Sequence, residues 1–379
     1  MSRTSGDLPP EAWAVALAGL PLMGPARLLA LLRRWAPEES WQRVCCEGWL
    51  RDRTVVATAG KEPAALAQLW SAAATQVDVA AVWQRHVDFG VGVAALGSPA
   101  YPAPLANDIE PPGVLFMSGQ PGVISGPRVA IVGTRSATRY GLDLAYELAR
   151  ELAAAGVAVV SGLALGIDGA AHAGALAADT APPIAVVGSG LDTVYPRRNL
   201  SLWREVERRG VVLGEAPLGA PPERWRFPAR NRLIATLADV VIVVESRDTG
   251  GSMHTVAEAE RRGRPVFAAP GPIRSATSVG TNRLLRDGAH VVCDAGDVLV
   301  ALGLSSALCR SLRDRRPAPA PEDAGVLDAI GWAPISLDRL AARTQQPLGQ
   351  LALALNRLCA QGWVVERSGW FERVARSEP

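Results

Sequence analysis

Two groups of residues in this chain could do chemistry. The first is ERWRFPARNR, where Arg224, Arg226, Arg230 and Arg232 are interleaved with Trp225 and Phe227. Guanidinium groups neutralise phosphates and flat rings receive unstacked bases, so this mixture suits single-stranded nucleic acid. It also suits a solvated arginine face above two aromatic loop anchors, and the residues by themselves leave both readings open. Arg197 and Arg198 follow a Tyr-Pro turn and extend the basic stretch, so residues 197–232 carry nine arginines against four glutamates. The second group is GIDGAAHAGAL, which sets Asp168 and His172 four residues apart on one helix face. Such a pair could move a proton or hold a metal. No third ligand, HExxH or GxSxG accompanies it, so we read a helix-start carboxylate and a histidine bonded to nearby backbone, with no metal site. His254 is a second isolated histidine.

Glycine-rich turns are the other ingredient. Gly133-Thr134-Arg135, Ser161-Gly162, Gly188-Ser189-Gly190, Ser246 to Ser252 (with Gly250 and Gly251) and Pro270-Gly271 each follow a short apolar run. Glycine lets backbone amides approach an anion, and a helix N-terminus behind the turn favours negative charge. The first turn reads GTRSATRYG rather than GxGxxG, and GxxxxGK[ST] does not occur. Dinucleotide-dependent dehydrogenases and P-loop motors therefore lose their fingerprints, and no cofactor is expected.

The elements that must position these turns are legible from periodicity. RVAIVG (128–133), VAVVSG (157–162), PIAVVGSG (183–190), VVLGE (211–215), DVVIVVES (239–246), RPVFAAPG (264–271) and HVVCD (290–294) read as buried parallel strands. Helical segments separate most of them, which predicts a doubly wound α/β domain whose ligands bind beyond the carboxyl ends of the strands. VGVAALGSPAYPAPL (91–105) and PPGVLFMSG (111–119) read as strands appended to that sheet. Residues 1–84 read as a helical domain containing LPLMGPARLLALL (20–32), a helical hairpin of the helix-hairpin-helix or sterile-alpha-motif kind. Amides near Gly24 could bind phosphate there, although a plain glycine cap explains the same pattern. The α/β domain is expected over 85–304, an Arg/Pro-rich linker over 305–322, and a winged helix over 323–379, with its wing turning at Ser368-Gly369.

Composition narrows the class. Of 379 residues, 39 are basic and 37 acidic; one of the basic residues is Lys61 and the other 38 are arginine. A net charge of +2 excludes a histone-like polycation, but it averages −2 for 1–112, +2 for 113–304, +3 for 305–316 and −1 for 317–379. The winged helix, at −1, is a poor duplex reader, because duplex binding is dominated by phosphate neutralisation. Its third helix offers only Gln350, Asn356 and Arg357 as useful polar groups, which favours protein docking over DNA. The most apolar stretch, 152–167, has 16 residues with three glycines, too short to cross a membrane. No signal-peptide plan opens the chain, and the five cysteines lack CxxC spacing, so a cytoplasmic protein with reduced thiols is expected.

In order and spacing, VGTRSATRYG, SGLALGIDGAAHAGAL, VGSGLDTVYPRRN, FPARNRLIA, TGGSMHTVAEA and VGTNRLLRDGA resemble the DNA-processing protein A family, DprA or Smf. The resemblance spans the whole α/β region and reaches upstream through YPAPL and PPGVLF. It implies an extended Rossmann-like fold and a non-enzymatic recombination mediator. Such proteins bind incoming single-stranded DNA in natural transformation, load the RecA recombinase on it, and work as homodimers. The implied contacts are Gly133, Thr134 and Arg135 on the first turn, with Ser161 and Gly162 on the second. Arg197, Arg198 and Asn199 follow the Tyr-Pro turn; Phe227, Arg230, Asn231 and Arg232 come from FPARNR; Gly250, Gly251 and Ser252 come from TGGS. Leu284 and Leu285 are the expected dimer contacts. TGGSMHT departs from the family's usual SGS, which leaves the glycines in place.

A rival from another class is a nucleotide phosphoribohydrolase of the lysine-decarboxylase-like kind, marked by PGGxGTxxE. DTGGSMHTVAE lacks its leading proline and its Gly-Thr pair. A third alternative, a transcription regulator acting through the winged helix, is opposed by that domain's negative charge.

Overall fold

The computed structural model describes residues 8–304, 318–331 and 333–374; most of the expected linker, 305–317, lies outside them. The seven apolar runs of the sequence become strands β3 (Arg128–Val132), β4 (Ala158–Ser161), β5 (Ile184–Val186), β6 (Val211–Gly214), β7 (Val240–Val243), β8 (Val266–Ala268) and β9 (His290–Val291). They pair in parallel throughout. The appended segments supply β1 (Gly92–Ala95) and β2 (Val114–Gly119), which pair antiparallel with each other and, through β2, with β6. The sheet order is β1-β2-β6-β5-β4-β3-β7-β8-β9. Strands β3 to β8 are buried on both faces, which explains runs of valine and isoleucine without polar alternation.

The chain builds outward from β3 to β6 and then returns to the other side of β3 with β7. The topological switch therefore falls between β3 and β7. One face of the sheet is covered by the helices Arg139–Ala154 and Ile167–Ala178, beside the helix Leu200–Arg209. The opposite face carries Arg226–Leu237 and Ser252–Arg261. Helix starts follow local chemistry: the side chain of Thr138 caps the helix at Arg139, accepting from the Gly141 amide, and Asp294 forms a capping box with Asp297.

The N-terminal helices do not stand apart. Their core, including Trp13, Leu17, Leu28, Trp49 and Trp70, is continuous with Phe116, Ala185, Val187 and Trp203 of the sheet and its helices. Pro10–Ala18 is apolar on every side because it is buried on every side. Of the two helices expected within 20–32 only the second forms; residues 19–24 make the turn of a hairpin that joins Pro10–Ala18 to Pro25–Arg34. The helix Val79–Phe89, closed by Gly90 at φ +79, ties this layer to the loops after β5 and β6. Arg85 pairs with Asp192 at 2.8 Å, and His86 accepts a hydrogen bond from the Leu218 amide at 3.2 Å through Nε2.

The C-terminal segment has the three helices Pro321–Ile330, Leu337–Thr344 and Leu348–Ala360 around their own core. Its wing, β11 (Val364–Arg367) and β12 (Trp370–Arg373), adds β10 (Ile335–Ser336) at the β12 edge. Arg357 of the third helix, one of its three useful polar groups, is held by Asp323 at 2.5 Å.

Candidate nucleic-acid interface

The loops at the carboxyl ends of the strands collect arginines that lack partners. Arg135 follows β3, Arg197 and Arg198 follow β5, Arg224 follows β6, Arg247 follows β7 and Arg274 follows β8. All six are exposed, and among the described residues none makes an ion pair or a side-chain hydrogen bond. Many arginines elsewhere in the α/β region are neutralised, as in Arg139–Asp143, Arg208–Glu205, Arg262–Asp108 and Arg283–Asp248. The sheet thus presents one edge of uncompensated positive charge. Arg247 and Arg274 were missed in the sequence because each stands alone in its loop; their signal was position, just past a strand end.

Aromatic side chains sit among these cations. The Arg135 guanidinium lies 5.2 Å from the Phe227 ring centroid, and Phe227 lies 5.4 Å from the Tyr195 ring. Arg226 covers one face of Trp225 at 4.6 Å, and both bond Glu223 at 3.0 Å. Trp225 is 46% exposed and Phe227 is half-buried. Neither ring is a buried core anchor, and both stand at the surface of this loop cluster.

Other expected contacts lie beneath that surface. Residues 226–232 are helical, not a loop, since Pro228 falls in the first turn, where its missing N–H costs no helix bond. Helical spacing then turns Arg230 and Arg232 inward, and both are buried. Arg230 donates to the Val186 carbonyl at 2.6 Å and packs against Gly162, where a Cβ would overlap its guanidinium. Burial pushes Arg230 down to about 10 and the facing Asp168 carboxyl up, each partly offset by the other's charge. Arg232 is locked to the Glu215 carboxylate and to the Glu110 carbonyl. These two arginines build the wall of the site and are not available to phosphate.

The small polar residues are supports as well. Ser161 is fully buried and donates to the Ile131 carbonyl at 2.6 Å. Asn199 donates to the carbonyls of Leu163 and Ala164, fixing the turn that carries Arg197 and Arg198. Asn231 bonds the Gly251 carbonyl at 3.3 Å, which holds the Gly250-Gly251 turn, and Ser252 bonds Ser246 at 2.8 Å. His172 is fully buried beside the Ser161 backbone, and burial lowers it to about 3, so its ring is neutral. With Asp168 also buried, the pair is part of the interior, and among the described residues no cluster could hold a metal. Leu284 is likewise a core residue of the α/β layer, with Leu285 half-buried against the same core, so Leu284 offers no surface to a partner.

The switch point itself is closed by the protein's own anion. Glu245, which ends the β7 run, is 4% exposed and accepts from the Thr138 amide at 2.9 Å and its hydroxyl at 2.6 Å. A carboxylate therefore occupies the N-terminus of the helix Arg139–Ala154, the place where α/β folds hold a nucleotide phosphate. Gly133 is required there, because a Cβ would strike the Glu245 carbonyl and Ile167. Further out along this edge the arginines stay open to an anion.

Residues 92–303 match the family model described as DNA recombination-mediator protein A, and 312–369 match the winged helix domain of DprA. The chain belongs to the DNA recombination-mediator protein A family. It is 37% identical to DNA processing protein DprA of Bacillus subtilis over 56% of this chain and 72% of that protein. To Protein Smf of Escherichia coli it is 34% identical over 73% of this chain and 76% of that one. Among solved structures, DprA of Streptococcus pneumoniae matches with a TM-score of 0.65 and 29% identity, over 77% of this chain and 98% of that one. DNA processing protein A of Helicobacter pylori, described for its single-stranded DNA binding mode, matches at 0.50 and 32% identity, over 55% and 95%. The fold is the family's α/β core with a winged helix, and members are DNA-binding recombination mediators rather than enzymes. Among the described residues, no helix of this DprA-family protein is long and apolar enough to cross a membrane.

Proposed function

We propose that this protein binds single-stranded DNA along the carboxyl edge of its sheet and delivers the strand to a RecA recombinase during transformation. The observation that carries this reading is the set of exposed arginines without ion pairs in the loops after the strands, Arg135, Arg197, Arg198, Arg224, Arg247 and Arg274, with Phe227, Tyr195 and Trp225 among the same loops and Arg135 over the Phe227 ring. Cations set by a rigid sheet track phosphates, and exposed rings take bases that a duplex would keep stacked. The single-strand binding described for the Helicobacter pylori relative supports it. Homodimerisation would let two such edges hold one strand and raise avidity through effective concentration. With Leu284 in the core, the dimer surface on the helix Val279–Arg286 is left to the exposed Val279 and its arginines. The phosphoribohydrolase reading has no support here, since Glu245 fills the phosphate position.

The test is a competition between a labelled single strand and a duplex of equal length at about 100 mM salt, followed by RecA filament assembly on the protein-bound strand. A preference of about tenfold for the single strand is expected, because a single exposed ring can stack with one base only if that base is unpaired. Equal affinity for the two forms would refute the strand assignment. Unchanged RecA assembly would refute delivery alone.

A further inference from the structure

We infer that the N-terminal helical domain supplies one wall of a slot that takes an unstacked base of the bound strand; this rests on the single-strand reading above. A narrow cleft, about 500 Å³ when the open solvent at its mouth is counted, lies between the hairpin turn and the carboxyl ends of β5 and β6. Ala18, Met23, Gly24, Pro25 and Leu28 form the hairpin wall, and Gly188, Glu215, Trp225 and Arg230 stand on the sheet side. The hairpin wall is apolar, as a base slot requires and a phosphate site does not.

Two polar side chains, Arg230 and Glu215, line this cleft. Arg230 is 6% exposed, and its Nε–H has no hydrogen-bond partner, although Nη1 is satisfied by Val186. An orphaned buried donor is costly unless a ligand meets it. The Glu215 carboxylate has one oxygen engaged by Arg232. A donor beside a carboxylate rejects a phosphate but matches the edge of a base, which carries both an acceptor and an N–H. Trp225 stands at the mouth, nearly half exposed.

The cleft is pre-formed and lies on the strand's path. Trp70 Nε1 donates to the Pro21 carbonyl at 2.9 Å, and Arg27 donates to the Leu22 carbonyl at 2.6 Å and the Thr58 carbonyl at 3.1 Å. These bonds hold the turn still, so capture of a base orders little else. On the other side, Phe227 lies close enough to Gly188 that a Cβ there would meet its ring at 3.4 Å, and Arg135 lies over that ring, so slot and cationic edge adjoin.

Gly24 offers a clean perturbation. Its φ of −99° and ψ of 167° suit any residue, its side makes no cap bond, and a Cβ there meets nothing within 4 Å. Gly24→Trp thus obstructs the cleft without strain, which equal thermal melts verify. The probes are a thymidine 12-mer and a 12-mer of abasic sugar phosphates, each titrated against the full chain. Gly24→Trp is expected to weaken the thymidine oligomer about tenfold, the worth of one base contact, and to leave the abasic oligomer unchanged. Trp225→Ala should weaken the same oligomer selectively, and the two changes together should cost less than their product. Wild-type affinity for both oligomers in Gly24→Trp, or equal weakening of both, overturns the slot while the single-strand reading stands. Wild-type protein that binds neither oligomer overturns both.

Discussion

Substituting Arg135 and Arg197 with alanine removes two of the six partnerless cations from the sheet edge. If each of the six neutralises one phosphate, the logarithm of affinity should fall with the logarithm of salt at a slope of about −4, at about 0.7 counterions per contact on a single strand. The double variant should show about −3. Between 50 and 200 mM salt the wild-type protein then loses about 300-fold in affinity and the variant about 50-fold. Neither side chain has a hydrogen bond or ion pair to lose, so the thermal midpoint should move by no more than a surface substitution moves it. Fluorescence anisotropy of an end-labelled thymidine oligomer across a salt series measures the slope directly. Arg43→Ala, at a residue paired with Glu39 in the N-terminal layer, removes a charge of the same sign far from the edge and serves as the control. Slopes that coincide for wild type and the double variant would refute the edge as the phosphate track, as would an equal change in the control.

Phe227→Ala should weaken single-strand binding by about 1–3 kcal/mol with little change in salt slope, because a stacking platform carries no charge; an altered slope would instead show that the ring acts through Arg135. Arg232→Ala leaves the buried Glu215 carboxylate without its cation and should cost about 3–5 kcal/mol in urea unfolding, whereas a loss under 1 kcal/mol would contradict a buried pair. His172 gives a pH dependence: its folded form is neutral because burial lowers it from 6.5 to about 3. Below 6.5 the unfolded chain takes up a proton that the folded chain refuses, so stability is fully present above that value and falls steadily toward pH 3. At pH 5 the loss from this group is about 2 kcal/mol, and His172→Gln should remove that share of the urea-midpoint shift between pH 7 and pH 5.

Much of the fold was legible because it rests on local pattern. Short β-branched runs, most of them ending in glycine or serine, marked the seven parallel strands, since a strand buried on both faces needs no polar alternation. The winged helix followed from its helix starts and the Ser368-Gly369 turn in the same way. The site was legible only as a neighbourhood. Asp168, His172, Arg230 and Arg232 had the right types and spacing for chemistry, yet all four are interior groups.

What the sequence by itself determined is the inventory: the strand runs, the glycine turns, the almost lysine-free supply of cations and the aromatic pair Trp225 and Phe227. Tertiary structure decided which of those cations are free. An arginine binds DNA only where no carboxylate already holds it, and partners such as Glu215 for Arg232 and Asp108 for Arg262 lie 17 and 154 residues away along the chain. Equally, only the packing of the N-terminal hairpin against β5 and β6 sets Gly24 opposite Trp225. Long-range neutralisation and the meeting of distant surfaces leave no mark on local composition, and that is why the basic edge had to be found in three dimensions.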